Sequence, residues 1–163
     1  MTYRLLLVDD HPMMRRGIRQ LLELEEDLQV VGEAGNGQEA LDSLAELQPD
    51  LILLDNNMPQ MNGVETLKKI RERGFTGKVL LFTVSDAEED VRDAMRFGAD
   101  GYLLKDMEPE QLIDQLHRVL QGQMAISPAL TSVLAQALRS PQGPSQADLT
   151  DRERQVLKMI AAG

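Results

Sequence analysis

Short apolar runs alternate along this chain with stretches whose apolar residues recur at helical spacing. Residues 4–8 (Arg-Leu-Leu-Leu-Val), 28–33 (Leu-Gln-Val-Val-Gly-Glu), 50–55 (Asp-Leu-Ile-Leu-Leu-Asp), 78–83 (Lys-Val-Leu-Leu-Phe-Thr) and 101–104 (Gly-Tyr-Leu-Leu) are bounded by polar or turn residues. They read as strands buried on both faces of a parallel sheet. Between them Met14, Ile18, Leu21 and Leu22 share one helical face, as do Ala40, Leu41, Leu44 and Leu47. Val64, Leu67 and Ile70, then Val91, Ala94 and Met95, then Leu112, Ile113, Leu116 and Leu120 continue the series. Five strand-then-helix repeats joined by short connections predict an α/β fold, a doubly wound parallel sheet with right-handed crossovers. Ligands of such sheets bind beyond the carboxyl ends of the strands.

The pattern changes after Gln121-Gly122. Ser127-Pro128 offers an N-cap with proline in the first turn, and Leu130, Val133, Leu134 and Leu138 predict a sixth, linker helix that leaves the domain. Residues 140–148 concentrate Pro, Gly, Ser and Gln and read as a flexible linker. Thr150-Asp-Arg-Glu153 then matches a capping box ahead of Val156, Leu157 and Ile160. The expected organisation is one domain over 1–124, a linker helix and linker over 125–148, and the start of a further helical domain over 149–163.

Composition narrows the function classes. Aromatic residues make up 3% of the chain, so Leu, Val, Ile, Met and Ala must build the core. With no cysteine, disulfides and thiolate metal sites are excluded. The apolar run at the N-terminus is too short for a signal peptide or membrane span, and a cytoplasmic protein without membrane association is expected. A formal net charge of −10 disfavours DNA binding by these residues, which would need clustered Lys and Arg.

The strand ends carry the chemistry. Asp9 and Asp10 follow the first strand, Asp55 ends the third, Thr83 ends the fourth and Lys105 follows the fifth. Three converging acids repel unless a cation sits among them, and oxygen ligands without His or Cys favour Mg²⁺ over zinc. A carboxylate nucleophile so placed can accept a phosphoryl group, with the ion and the Lys105 ammonium neutralising charge and the Thr83 hydroxyl donating to an oxygen. Taken singly each residue has a plainer reading: Asp9-Asp10 as a helix N-cap, Asp55 as a strand-end turn residue, Lys105 as a solvated lysine, Thr83 as structural. Gly35-Asn-Gly37 reads as a turn, since it fits neither phosphate-loop pattern. His11 and His117 lack partners at metal-ligand spacing and read as surface or helix-packing residues. Met13, Met14, Met58 and Met61 read as gap-filling apolar residues.

Val-Asp9-Asp10-His-Pro, Leu-Leu-Asp55-Asn-Asn-Met-Pro-Gln-Met-Asn-Gly63, Phe-Thr83-Val-Ser and Gly-Tyr-Leu-Leu-Lys105 together resemble the receiver domains of two-component response regulators over residues 4–121. The resemblance implies a flavodoxin-like receiver with strand order 2-1-3-4-5, Mg²⁺ held by Asp9, Asp10, Asp55 and the Asn57 main-chain carbonyl, and phosphorylation of Asp55. It gives Thr83 and Lys105 contacts to the phosphoryl group and makes Tyr102 the switch aromatic. The signatures Asp-Asp-His-Pro, Val-Val-Gly-Glu-Ala, Gly-Ala-Asp-Gly-Tyr-Leu-Leu-Lys-Asp and Leu-Thr-Asp-Arg-Glu-Arg-Gln-Val-Leu resemble the NarL branch, with a LuxR-type helix-turn-helix output. Residues 85–90 and 105–110 look closest to the nitrate/nitrite regulators. The implied partners are a sensor histidine kinase, DNA through an output domain of which residues 149–163 supply only the truncated start, and a possible homodimer partner. The implied activity is signalling with self-phosphorylation and self-dephosphorylation chemistry only. Val84, where a smaller residue is usual, and Asn56, directly after Asp55, depart from the commonest pattern. The bulk of Val84 is expected to narrow the approach of a phosphodonor or of hydrolytic water. Two other classes stay open: an aspartyl-phosphate phosphatase, whose Asp-x-Asp pair is absent here, and a pseudo-receiver, which usually lacks one of the acids or the lysine.

Overall fold

The computed structural model describes residues 2–58, 60–84, 87–127 and 130. The chain runs β1 (Tyr3–Val8), α1 (Pro12–Glu23), β2 (Leu28–Ala34), α2 (Gly37–Leu47), β3 (Leu51–Leu54), α3 (Gly63–Glu72), β4 (Lys78–Thr83), α4 (Glu88–Arg96), β5 (Gly101–Leu104), α5 (Pro109–Leu120) and β6 (Ala125–Ile126). All strands pair in parallel, in the order β2-β1-β3-β4-β5-β6.

Side chains of successive strand residues point to opposite faces, and here both faces are apolar. Leu6, Val8, Ile52, Leu54, Val79, Leu81 and Tyr102 face α2, α3 and α4, whose Ala40, Leu41, Leu67, Ile70, Val91 and Met95 cover them. Leu5, Leu7, Leu51, Leu53, Leu80, Phe82 and Leu103 face α1 and α5 through Ile18, Leu22, Leu112, Leu116 and Val119. The result is a three-layer α/β/α sandwich, each fully buried aliphatic side chain contributing about 1.5–3 kcal/mol.

The expected strand order holds for the first five strands, and a sixth is added that no apolar run announced. Ala125 N donates to Asp100 O (3.3 Å), Ser127 N to Tyr102 O (3.1 Å) and Leu104 N to the Ser127 hydroxyl (2.9 Å), extending the edge of β5. Gly101 permits this approach, since a Cβ there would lie 2.4 Å from Ala125 O. The sheet thus runs past residue 124, where the first domain was expected to end. Ser127 spends its hydroxyl on β5, and Leu130, expected on a helix leaving the domain, is buried in the core beside Tyr102. The remainder of the sixth helix, the 140–148 linker, the 150–153 capping box and the start of a further domain lie outside the described residues.

Local signals set the helix ends. Asn36 and Asn62 cap α2 and α3 by accepting from Glu39 N (2.9 Å) and Glu65 N (2.8 Å). Gly35-Asn-Gly37 is therefore a turn into a helix, and Gly37 lets α2 lie close to α3, where a Cβ would collide with the Thr66 hydroxyl. The N-cap of α1 is His11, so neither Asp9 nor Asp10 serves as that cap. Among the described residues no helix is long and apolar enough to cross a membrane.

Candidate functional site

The ladders that order the sheet also deliver the polar residues. Asp9 N bonds Ala34 O (3.0 Å), Asp55 N bonds Val8 O (2.9 Å) and Lys105 N bonds Thr83 O (2.9 Å), so each of these residues is the next rung beyond a strand. The chain reverses its winding direction between β1 and β3, and Asp9 and Asp55 stand side by side at that point, where sheets of this kind open a crevice.

Asp9, Asp55 and Thr83 are buried, with at most 4% exposure, and Lys105 has 8% side-chain exposure. Lys105 Nζ lies 2.7 Å from Asp9 Oδ2 and 3.5 Å from Asp55 Oδ2. One ammonium thus bridges two buried carboxylates, and Asp10 adds a third acid beside them. Burial pushes the Asp55 carboxyl above its ordinary range; Lys105 opposes this, the neighbouring Asp9 charge adds to it, and hydrogen bonds from Asn57 N and Thr83 again oppose it. Asp10 Oδ1 and Asp55 Oδ2 are buried and accept no well-formed hydrogen bond, with only His11 Nδ1 (2.9 Å) and Lys105 Nζ (3.5 Å) as ion-pair neighbours. Two buried acceptors left this way, among three acids and one lysine, are what a hard cation would satisfy.

The connection after β3 is held by Asn56, Asn57 and Gly63. Asn56, 3% exposed, accepts from Val64 N through its side chain (3.0 Å) and from Met58 N and Gly63 N through its carbonyl (3.0 and 3.1 Å). Gly63 packs against the backbone of Asp55: a Cβ would lie 2.4 Å from Asp55 O and 2.7 Å from Asn56 Cα. The departure at Asn56 is thus a clamp on the loop. Asn57 N donates to Asp55 Oδ1 (3.3 Å) and its side-chain amide donates to the Thr83 hydroxyl (3.3 Å), linking two strand ends. On the other side Arg15 Nη1 donates to Asp9 O (2.5 Å) and Nε to Glu33 (3.1 Å). Val84 is 69% exposed at the mouth beside Thr83. Tyr102 lies one sheet face below, completely buried.

Both histidines read differently in three dimensions. His11 Nδ1 lies 3.2 Å from Asp9 Oδ1 and 2.9 Å from Asp10 Oδ1, inside the acidic cluster. His117 Nε2 lies 2.8 Å from Asp27 Oδ2, with Glu25 adjacent. Spacing along the chain hid the second grouping, which joins residues 90 apart, whereas His11 directly follows Asp9 and Asp10.

Against known proteins, residues 5–117 match the response regulator receiver domain family. The chain is 53% identical over 162 residues to the nitrate/nitrite response regulator protein NarL of Escherichia coli K12, covering 98% of this chain and 75% of that one. It is 42% identical to the nitrate/nitrite response regulator protein homolog of Haemophilus influenzae, over 98% of this chain and 76% of the relative. A LuxR-family two-component response regulator from Aurantimonas superposes with a TM-score of 0.79 at 33% identity, over 83% of this chain and 97% of that structure. With the five-strand order, the acid cluster and the bridging lysine in place, the chain belongs to the response regulators, as a receiver domain of the NarL/LuxR type.

Proposed function

We propose that Asp55 is the phosphoacceptor, that Asp9, Asp10 and Asp55 with the Asn57 main-chain carbonyl hold Mg²⁺, and that Thr83 and Lys105 contact the transferred group. The observation that carries this reading is Lys105 Nζ set between Asp9 and Asp55, beside buried carboxylate oxygens without hydrogen bonds. A bound ion would supply positive charge against the developing phosphoryl negative charge.

In the transfer, an Asp55 carboxylate oxygen attacks the phosphorus of a kinase phosphohistidine; the O–P bond forms as the P–N bond breaks, and the imidazole nitrogen leaves with the electron pair. Lys105 is close enough to shift from Asp9 toward the new charge. Thr83, released from Asn57, turns its hydroxyl to a phosphoryl oxygen and draws the segment carrying Val84 inward. Tyr102, on the strand next to Thr83, responds by repacking in the core between β5 and α4. Residues 1–124, extended by β6, act as the receiver, and an output domain beginning near 149 would bind DNA. The likeness to nitrate/nitrite regulators supports a sensor histidine kinase for those anions as partner and a cytoplasmic setting. Self-phosphorylation and self-dephosphorylation are the expected chemistry.

A small acyl-phosphate donor tests the assignment. The chain should gain the mass of one phosphoryl group when Mg²⁺ is present, lose that gain with a chelator, and show none as Asp55→Ala. Labelling of Asp55→Ala at the wild-type level sinks it. Steady turnover of a phosphomonoester would instead favour the phosphatase class, and absence of Mg²⁺ binding the pseudo-receiver.

A further inference from the structure

We propose that Glu25, Asp27 and His117 form a second cation site, for a borderline divalent transition ion such as zinc. It lies at the opposite end of the sheet from Asp55: Glu25 and Asp27 sit in the connection before β2 begins at Leu28, and His117 is in the last turns of α5. Each residue offers one ligand atom, and these atoms lie within 4.8 Å of one another. All three are partly exposed, so an ion can reach them from solvent.

Two features beyond the grouping point to a cation. His117 Nδ1 lies 3.0 Å from Ile113 O, placed to donate its N–H to that carbonyl as in metal-bound histidines, and Nε2 faces Asp27 Oδ2 at 2.8 Å, a contact in which Nε2–H donates and whose proton an ion would replace. The carbonyl end of α1 carries no basic residue in its last turn, so its negative dipole end adds to the field of Glu25 and Asp27. No hydrogen bond or ion pair engages the Glu25 side chain among the described residues. An imidazole nitrogen with two carboxylates suits zinc and its neighbours and disfavours Mg²⁺, which separates this site chemically from the acids around Asp55. Donors around a tetrahedral zinc stand about 3.3 Å apart at metal distances of about 2.0–2.1 Å. The two nearest, now 2.8 Å apart, would open slightly and Glu25 would swing in.

A bound ion would tie the α1–β2 connection to α5, joining residues 90 apart in sequence, and stabilise the fold by mass action. The test is zinc titration by calorimetry in millimolar Mg²⁺, with thermal melts in parallel. We expect wild-type chain and Asp10→Asn to share one zinc site and a zinc-dependent rise in Tm. In His117→Gln affinity should fall about 100-fold or more and the rise should vanish. Glu25→Gln, a change at a side chain without a partner, should fold normally and weaken zinc at least tenfold. Wild-type affinity in Glu25→Gln and His117→Gln, loss of the site in Asp10→Asn, or no zinc binding to the wild type overturns the proposal. If His117→Gln does not fold, Glu25→Gln decides alone.

Discussion

The proposed role of Asp55 sets two demands in conflict: a phosphoacceptor carboxyl must be dry enough to hold a phosphoryl group away from water, yet charged enough to attack phosphorus. Burial raises its pKa, and one lysine shared with Asp9 only partly restores the charge. A folded-state pKa above the unfolded one gives stability that is complete below the unfolded value and lost as pH rises through the folded value. Without a divalent ion, Asp55→Asn should therefore be more stable than the wild type at neutral pH by about 1 kcal/mol, the difference shrinking as pH falls. Urea unfolding at several pH values checks this; a variant less stable at neutral pH contradicts the electrostatic account. Gly63 makes the opposite kind of demand, on space. Gly63→Ala should cost about 1–3 kcal/mol by pressing on the Asp55 backbone, and should slow phosphoryl transfer as well. A stability loss without any change in labelling rate would show that the pressure is relieved away from Asp55.

At the scale of elements, what was legible followed from burial on two faces. The runs Leu51–Leu54 and Lys78–Thr83 had to be strands, because only a sheet covered by helices on both sides buries such unbroken apolar segments. Asp50 and Asp55, read as the ends of the third strand, fall just outside it: Asp50 accepts from Arg4 N, and Asp55 opens the site loop. β6 was illegible, since two residues carry no alternation and their pairing depends on the Ser127 hydroxyl reaching β5. Asp9, Asp55, Thr83 and Lys105 were legible because strand ends of a parallel sheet gather at one edge. Asn56, Arg15 and Arg71 were not, since most of their partners are main-chain groups in or beside loops whose course a sequence does not give. Arg71 is the clearest case. It donates to Phe75 O, Gly77 O and Gly98 O and meets the buried Asp100 at 3.0 Å, tying the α3–β4 and α4–β5 connections together at the far end of the sheet. Arg71→Ala should cost about 2–3 kcal/mol in urea unfolding, chiefly by leaving Asp100 without its cation. A loss below about 0.5 kcal/mol would mean that Lys78, now 3.9 Å from Asp100, takes over.

For the whole molecule, the sheet separates two tasks. Its carboxyl edge holds the acids, the lysine and the loop clamp; the opposite edge holds Arg71 with Asp100 and the Glu25, Asp27 and His117 group. Tyr102 and Leu103 on β5 face opposite layers, so a change at Thr83 can pass to the α4 side through one strand without unpacking α1 and α5. A signal of this kind requires the phosphoryl group to sit on one carboxylate. Borohydride reduction, which converts an aspartyl phosphate to homoserine, locates it when the chain is labelled in Mg²⁺ and analysed by peptide mass spectrometry. Conversion at residue 55 and nowhere else is the predicted result. Conversion at Asp9 or Asp10, or a stable label surviving in Asp55→Asn, would contradict the account.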